Sequence, residues 1–303
     1  MGVSEMKKFL IKIAFFFGIV AIVDFSFGKL FHYLQWNVAG GRTGSEYYAC
    51  KESDEDIIIM GSSRAAHHYD AKIIAEGLGK SCFNAGEDGN GIILQYGRWK
   101  MISERFTPEM IIYDISTGYD MSVNDNMAYI DRLKPFCGDR IVKDYVVGLF
   151  PMEKVKLISK MYCYNYKFLE MIFDCTKRRV KGNGFTPVSG HILQAVIDKP
   201  IVKEDILETD SVKLAYLEKL VKEAKAKGTE IIFVISPSWH GGGYELSAYS
   251  CVIDLANKYQ VPFYSYIESP ICNNPDYFKD SGHLNSVGAS EFSNDLVSRL
   301  KAN

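Results

Sequence analysis

Two short stretches of this chain carry residue types that could do nucleophilic chemistry together. The first is Gly61-Ser62-Ser63-Arg64, at the end of an apolar run. The second is Asp280-Ser281-Gly282-His283-Leu284-Asn285, just ahead of a closing amphipathic segment. An acid and an imidazole three residues apart can sit on one turn and touch. The bland use of such a pair is to cap a helix, and Ser63 could equally be an N-cap. The sharper use is as the base half of a nucleophilic site, with Ser63 as nucleophile. Such a site also needs N–H donors for an oxyanion. The stretch Asn84-Ala85-Gly86-Glu87-Asp88-Gly89-Asn90-Gly91 offers a Gly-rich loop for that purpose, although Asp-Gly is also an ordinary turn signal.

The elements that would position these residues can be read from hydrophobic patterning. The β-branched runs Asp56–Gly61, Ser81–Gly86, Glu109–Ser116, Thr229–Ser236 and Val261–Tyr266 read as five buried strands. Amphipathic segments between and after them read as helices near 71–79, 91–106, 211–227 and 244–259, with a last helix from about Asn285. Alternation of this kind implies a parallel sheet covered by helices on both faces, a flavodoxin-like three-layer α/β/α arrangement. Ligands in such sheets bind outside the carboxyl ends of the strands. Ser63 follows the first strand, Gly89 and Asn90 the second, Thr117 and Asp120 the third, and Asp280 and His283 the fifth.

In this order and spacing the chain resembles the SGNH/GDSL hydrolase superfamily, in a membrane-anchored bacterial branch with a Gly-Ser-Ser-Arg first block. "IIIMGSSR" is similar to the first block, with Ser63 at the nucleophile position and Ser62 in place of the usual Asp. "NAGEDG" resembles the second block and puts Gly89 at the oxyanion position. "DSGHLN" matches the last, Asp-x-x-His block, at Asp280 and His283. The third block departs from the family: where a Gly-x-Asn-Asp is expected, the chain reads Ser116-Thr117-Gly118-Tyr119-Asp120, without the donor Asn. Thr117, Asn90 or a residue of the insertion could take that place, or the donor could be missing. Loss of the donor would remove about 2.7–4 kcal/mol of transition-state stabilisation. Arg64 stands as either a structural partner of a carboxylate or a substrate contact. His67 and His68, being adjacent, point apart on a helix and make a poor metal pair.

With 303 residues, nearly half of them apolar, the chain can bury a large core. A net charge of −2 leaves no basic excess for neutralising phosphates, which excludes nucleic acid as main partner. Seven cysteines without a C-x-x-C pair or a zinc-type His spacing imply neither a structural metal nor a disulfide framework, and Cys82 and Cys251 read as buried thiols. No cofactor is implied. At the N-terminus, Lys7 and Lys8 precede an apolar run from Phe9 to Phe27, interrupted by Lys12 and Asp24 near its ends. It reads as an uncleaved single-pass anchor, with the lysine side cytoplasmic and the remainder periplasmic. The expected organisation is a stub and anchor over 1–36, a linker over 37–53, and an SGNH-like domain over 54–303. Residues from about 120 to 210 form an insertion that caps or borders the site, and its basic run Lys177–Gly182 reads as a solvated loop.

The resemblance implies a serine esterase or O-acyltransferase acting on acyl groups of a cell-surface carbohydrate. A catalytically inactive glycan-binding or assembly protein of the same fold, and a lipase or thioesterase, are the competing readings.

Overall fold

The computed structural model describes residues 3–38, 40–124, 126, 128–177, 182–200 and 208–302. In chain order the first elements are helix α1 (Val3–Asn37), helix α2 (Gly41–Tyr47), strand β1 (Ile57–Met60), helices α3 (Ser63–His68) and α4 (Ala71–Leu78), strand β2 (Cys82–Asn84), helix α5 (Ile92–Arg105) and strand β3 (Met110–Asp114). Helices α6 (Arg140–Leu149), α7 (Glu153–Lys156), α8 (Phe168–Asp174) and α9 (Gln194–Ile197) follow. Helix α10 (Ser211–Ala226), strand β4 (Glu230–Ile235), helix α11 (Ser250–Tyr259), strand β5 (Phe263–Ser265) and helix α12 (Ser286–Ala302) complete the chain. Compact packing divides it into two units: 1–47 with 130–180, and 48–129 with 181–303.

The larger unit holds the sheet. All four strand pairs are parallel, in the order β2-β1-β3-β4-β5, that of a flavodoxin-like doubly wound sheet. Every residue of β1 is buried, which requires cover on both faces. Ile57, Ile59, Ile112, Ile232 and Val234 pack on one face with Tyr69, Ile74, Phe292 and Leu296 from the α3–α4 and α12 side. The alternate residues Ile58, Ile111, Ile231 and Phe233 are buried on the other face. Two chain reversals show how local sequence enforces the winding. Asp70 caps α4 by accepting from the N–H groups of Lys72 and Ile73, and Gly79 ends it in the left-handed region at φ +66°.

Part of the expected insertion belongs to this unit. Asn183 accepts from Asn84 N–H at the free edge of β2 (2.8 Å), and Thr186 N–H donates to Ala66 O (3.0 Å). Ile192 packs in the sheet core and its N–H donates to Phe278 O (2.8 Å). The rest of the insertion, with α6 to α8, forms the smaller unit together with α1 and α2. There Phe31, Tyr164 and Met171 make a small core. Buried Glu46 takes ion pairs from Lys167 and Arg132, and Thr43 N–H donates to Asp174 Oδ2 (2.9 Å). The stretch 37–53, read from sequence as linker, is mostly helical: α2 is followed by a π-helical turn over Tyr48–Glu52. Helix α1 is long and apolar enough to cross a membrane.

All seven cysteines are free thiols. Cys82 is buried as expected, whereas Cys251 is only half-buried, because it lies in the first turn of α11 beside the exposed Ser250. Residues 178–181 of the basic run lie outside the described residues.

Candidate active site

The nucleophile candidate is set by a sharp strand-to-helix turn. Gly61 leaves β1 at φ +141°, and a Cβ there would come within 2.8 Å of Asp114 O. Only glycine fits that backbone and that approach. Ser62 is extended and Ser63 opens α3, so its hydroxyl stands at the carboxyl edge of the sheet.

His283 reaches the same point from the far end of the chain. Phe278 and Leu284 pair as an isolated bridge, and Lys279 N–H donates to His283 O (2.9 Å), so residues 279–283 close a tight turn. Within it Asp280 Oδ1 lies 2.9 Å from His283 Nδ1 and also accepts from the N–H groups of Gly282 (2.9 Å) and His283 (3.0 Å). Burial works against ionisation of Asp280, but these donors and the imidazole outweigh it and hold the carboxyl below its ordinary range. A carboxylate acceptor at Nδ1 fixes the proton there and leaves the Nε2 lone pair free. Nε2 lies 2.9 Å from Ser63 Oγ. Helix capping falls to another residue: Asn285 Oδ1 accepts from the N–H groups of Val287 (3.1 Å) and Gly288 (3.0 Å) at the start of α12.

The Gly-rich loop after β2 is held against α3 from several sides. Asn84 Nδ2 donates to Ala65 O (2.7 Å) and Tyr69 O (2.9 Å). Gly86 lies so close to Ala66 that an added Cβ would be 2.3 Å from its nitrogen. On α5, Gln95 Nε2 donates to both Gly61 O (2.8 Å) and Ala85 O (3.1 Å), while Arg98 donates to Ala85 O and pairs with Glu87 (both 2.6 Å). Gly89 sits at the exposed tip of this loop at φ +68°. Among the described residues, the N–H groups of Gly89 and Ser63 donate to no backbone carbonyl. Asn90 turns its amide onto Asp88 O (2.8 Å), within the loop.

Thr117 opens a π-helical turn, Thr117–Met121, and its carbonyl accepts from Ser122 N–H (2.9 Å). The Thr117 side chain lines a small cavity with Met121, Ser122, Thr209, Tyr244 and Ala248. Asp120, in the same turn, is buried and accepts from Tyr113 OH, Ser116 N–H and Ile92 N–H, each at 2.7 Å. Burial outweighs these donors and pushes its carboxyl up to about 6. Arg64 points inward. Its guanidinium donates to Ile115 O and lies 3.5 Å from buried Asp114, which also accepts from Tyr69 OH (2.8 Å) and Ser236 N–H (3.0 Å).

The two histidines of α3 do point apart, and both rings stand near that of His283. His68 is fully buried. Its Nε2 accepts from Leu284 N–H (3.1 Å), so Nδ1 carries the proton and donates to Ser236 Oγ (3.0 Å). Burial, then the charge of Arg64, keeps it neutral, well below its ordinary pKa. Its ring stands edge-on to His283, 6.2 Å away. His67 faces outward, with Nδ1 2.6 Å from Thr186 O and Nε2 3.0 Å from Asp88 Oδ1. Burial disfavours its charge, but Asp88 and the Thr186 carbonyl outweigh that and raise its pKa. Its ring is 5.6 Å from that of His283.

Ser63, His283 and Asp280 are thus brought together, Gly89 and Asn90 lie on the loop that His67 grips, Thr117 lines the separate small cavity, and Arg64 is committed to Ile115 O and Asp114. Sequence patterns gave no notice of Gln95, Arg98, His68 or Ser236 as supports. Ser236, at the exit of the fourth strand, could have been found by treating that exit like the other four. Among the described residues no three His, Cys, Asp or Glu side chains group as metal ligands.

No family model and no curated protein matches the chain. Among solved structures it is similar to a candidate acylhydrolase from Bacteroides fragilis, at 12% identity and a TM-score of 0.40, over 80% of this chain and 86% of that one.

Proposed function

We propose that this chain is an SGNH-type serine esterase or O-acyltransferase, anchored by α1 and acting outside the cytoplasm on ester-linked acyl groups of a cell-surface carbohydrate. The carrying observation is the relay Asp280–His283–Ser63, with both links at 2.9 Å. His283 Nε2 takes the Ser63 proton as Oγ attacks the ester carbonyl. The tetrahedral oxyanion is met by the N–H groups of Ser63 and Gly89. The imidazolium, steadied by Asp280, then gives its proton to the departing sugar oxygen, leaving an acyl-serine. Water, or a second sugar hydroxyl, loses its proton to His283 and attacks the acyl carbon, and the imidazolium returns that proton to Ser63 Oγ as the acyl–oxygen bond breaks. The ester class rests on the relay. The carbohydrate acceptor rests on the family resemblance and on the anchor.

The absent third-block Asn supports a second reading, a glycan-binding or assembly protein with an incomplete oxyanion hole. A fluorophosphonate probe separates the two. Covalent labelling of the wild type that is lost in Ser63→Ala supports the enzyme. An inert wild type supports the binder. A preference for long acyl chains in a series of p-nitrophenyl esters would instead favour a lipase or thioesterase.

A further inference from the structure

We infer that the helical part of the insertion, α7 and α8 with the turn between them, docks on the lipid bilayer beside α1. This goes beyond the proposed chemistry but rests on the reading of α1 as a membrane span.

Helix α1 is longer than a bilayer core requires. Its 35 residues extend about 52 Å at 1.5 Å per residue, against a hydrocarbon core of about 30 Å. The stretch without charge, Ile13–Val23, is too short to fill that core, which takes about 20 residues. The span must therefore take in Lys12, Asp24 or both. Lys12 can snorkel along its long stem. Asp24 is too short to do so, and a bare carboxylate at that depth is expensive. The smaller unit answers it directly. Asp24 accepts from Ser159 Oγ (2.5 Å), Lys160 N–H (2.8 Å) and Met161 N–H (3.1 Å). The backbones are in close contact there, since a Cβ on Gly28 would meet Lys160 Cβ at 2.2 Å. The 159–161 turn therefore lies at the depth of Asp24, at the end of the apolar run.

What flanks that turn is apolar and outward-facing. Ile158 is 73% exposed, and Val155 and Met152 are exposed on the same side of the turn. On α8, Leu169, Ile172 and Phe173 form one exposed face, with Phe173 at 68%, opposite buried Met171 and Asp174. Helix α8 packs against α1 through Phe168 and the buried Phe31. Phe168 stands 6.1 Å from Phe31, which stands 6.1 Å from the exposed Phe27. Exposed Lys154 and Lys160 lie among these residues. Apolar side chains interleaved with lysines fit the boundary between acyl chains and headgroups. A soluble surface would not collect them around a spanning helix.

The test uses the full chain reconstituted in vesicles of phosphatidylethanolamine and phosphatidylglycerol. A fluorescent amino acid replaces Ile158, Phe173, Ile19 or Leu246, one at a time. Lipids brominated near the headgroup should strip most of the emission from the probes at 158 and 173, and iodide in the water should not. The probe at 246, exposed on the sheet unit, serves as a comparison outside the inferred patch. If the probe at 19 is quenched by lipid while those at 158 and 173 answer only to iodide, the docking inference falls and the anchor stands. If the probe at 19 also escapes quenching by lipids brominated at mid-chain, the span itself is refuted. Protection of 173 from both quenchers, with cross-linking between two copies at that position, would assign the face to a second chain and overturn the inference.

Discussion

His283 Nε2 lies 2.9 Å from Ser63 Oγ across a sequence separation of 220 residues. The contact is made by two tight turns at the carboxyl edge of one sheet, and each turn has its own support. Gly61 permits the first by its open φ and lack of a side chain. His68, next to the serine's own helical turn, accepts from Leu284 N–H and so holds the second. The helix that opens with Ser63 therefore also carries the residue that positions the turn bearing His283.

If the relay works as a unit, its members are not additive. Ser63→Ala and His283→Ala should each lower kcat/KM for a p-nitrophenyl acetate substrate by about 10⁴–10⁶-fold, and the double variant should lose no more than either. Two losses that multiply would show that the serine and the histidine act separately.

Asp280 and His67 predict opposite pH limbs of stability. The Asp280 carboxyl is held low when folded, so its contribution is complete above about pH 3.9 and is lost as pH falls through the folded value. His67 is held high by Asp88 and Thr186, so its contribution is complete below about pH 6.5 and is lost as pH rises through the folded value. Urea unfolding of Asp280→Asn should be flatter than wild type on the acid side, and that of His67→Gln flatter on the alkaline side. Because His67 grips the loop that bears Gly89, His67→Gln should also lower kcat more than it raises KM. A change in KM alone would mean that His67 merely contacts substrate.

Asp120 has the reverse sign from Asp280. Burial lifts its carboxyl to about 6, so the folded protein binds that proton more tightly than the unfolded chain. Stability from this group should fall as pH rises from about 4 to about 6 and stay level beyond. Asp120→Asn should remove that slope. Asp120→Ala strands Tyr113 OH, Ser116 N–H and Ile92 N–H and should destabilise by about 2–4 kcal/mol in urea titration.

Ser62 carries a buried hydroxyl with no hydrogen-bond partner among the described residues. Removing an unsatisfied buried polar group should leave stability unchanged or raise it by up to about 1 kcal/mol. Thermal unfolding of Ser62→Ala checks this, and a clear drop in Tm would reveal a partner for that hydroxyl in solution.

The sheet was legible in the sequence because its signals are local. Ile57-Ile58-Ile59, Ile111-Ile112 and Ile231-Ile232-Phe233 are β-branched or aromatic runs bounded by turn residues, and the parallel winding follows from the amphipathic helices between them. Ser63, Gly89, Asp280 and His283 could be singled out for the same reason, since each sits in a short turn at a strand exit or ahead of a helix. The helical turns of the 37–53 stretch were not legible, and the sequence left Arg64 open between a carboxylate partner and a substrate contact. An arginine beside a serine has the same local pattern whether it faces substrate or a buried aspartate, and only the arrival of Asp114 from β3 turned Arg64 inward. Likewise nothing near residue 24 announces that its carboxylate will meet residues 159–161, or that the insertion divides between two units. Periodicity and turn chemistry act within a few residues, so the chain alone determined which elements form and where Ser63 and His283 stand in them. Which side chains meet, and which are thereby diverted from solvent or substrate to structural work, was decided by tertiary packing, because burial makes a charge or an N–H take the nearest partner however distant in sequence.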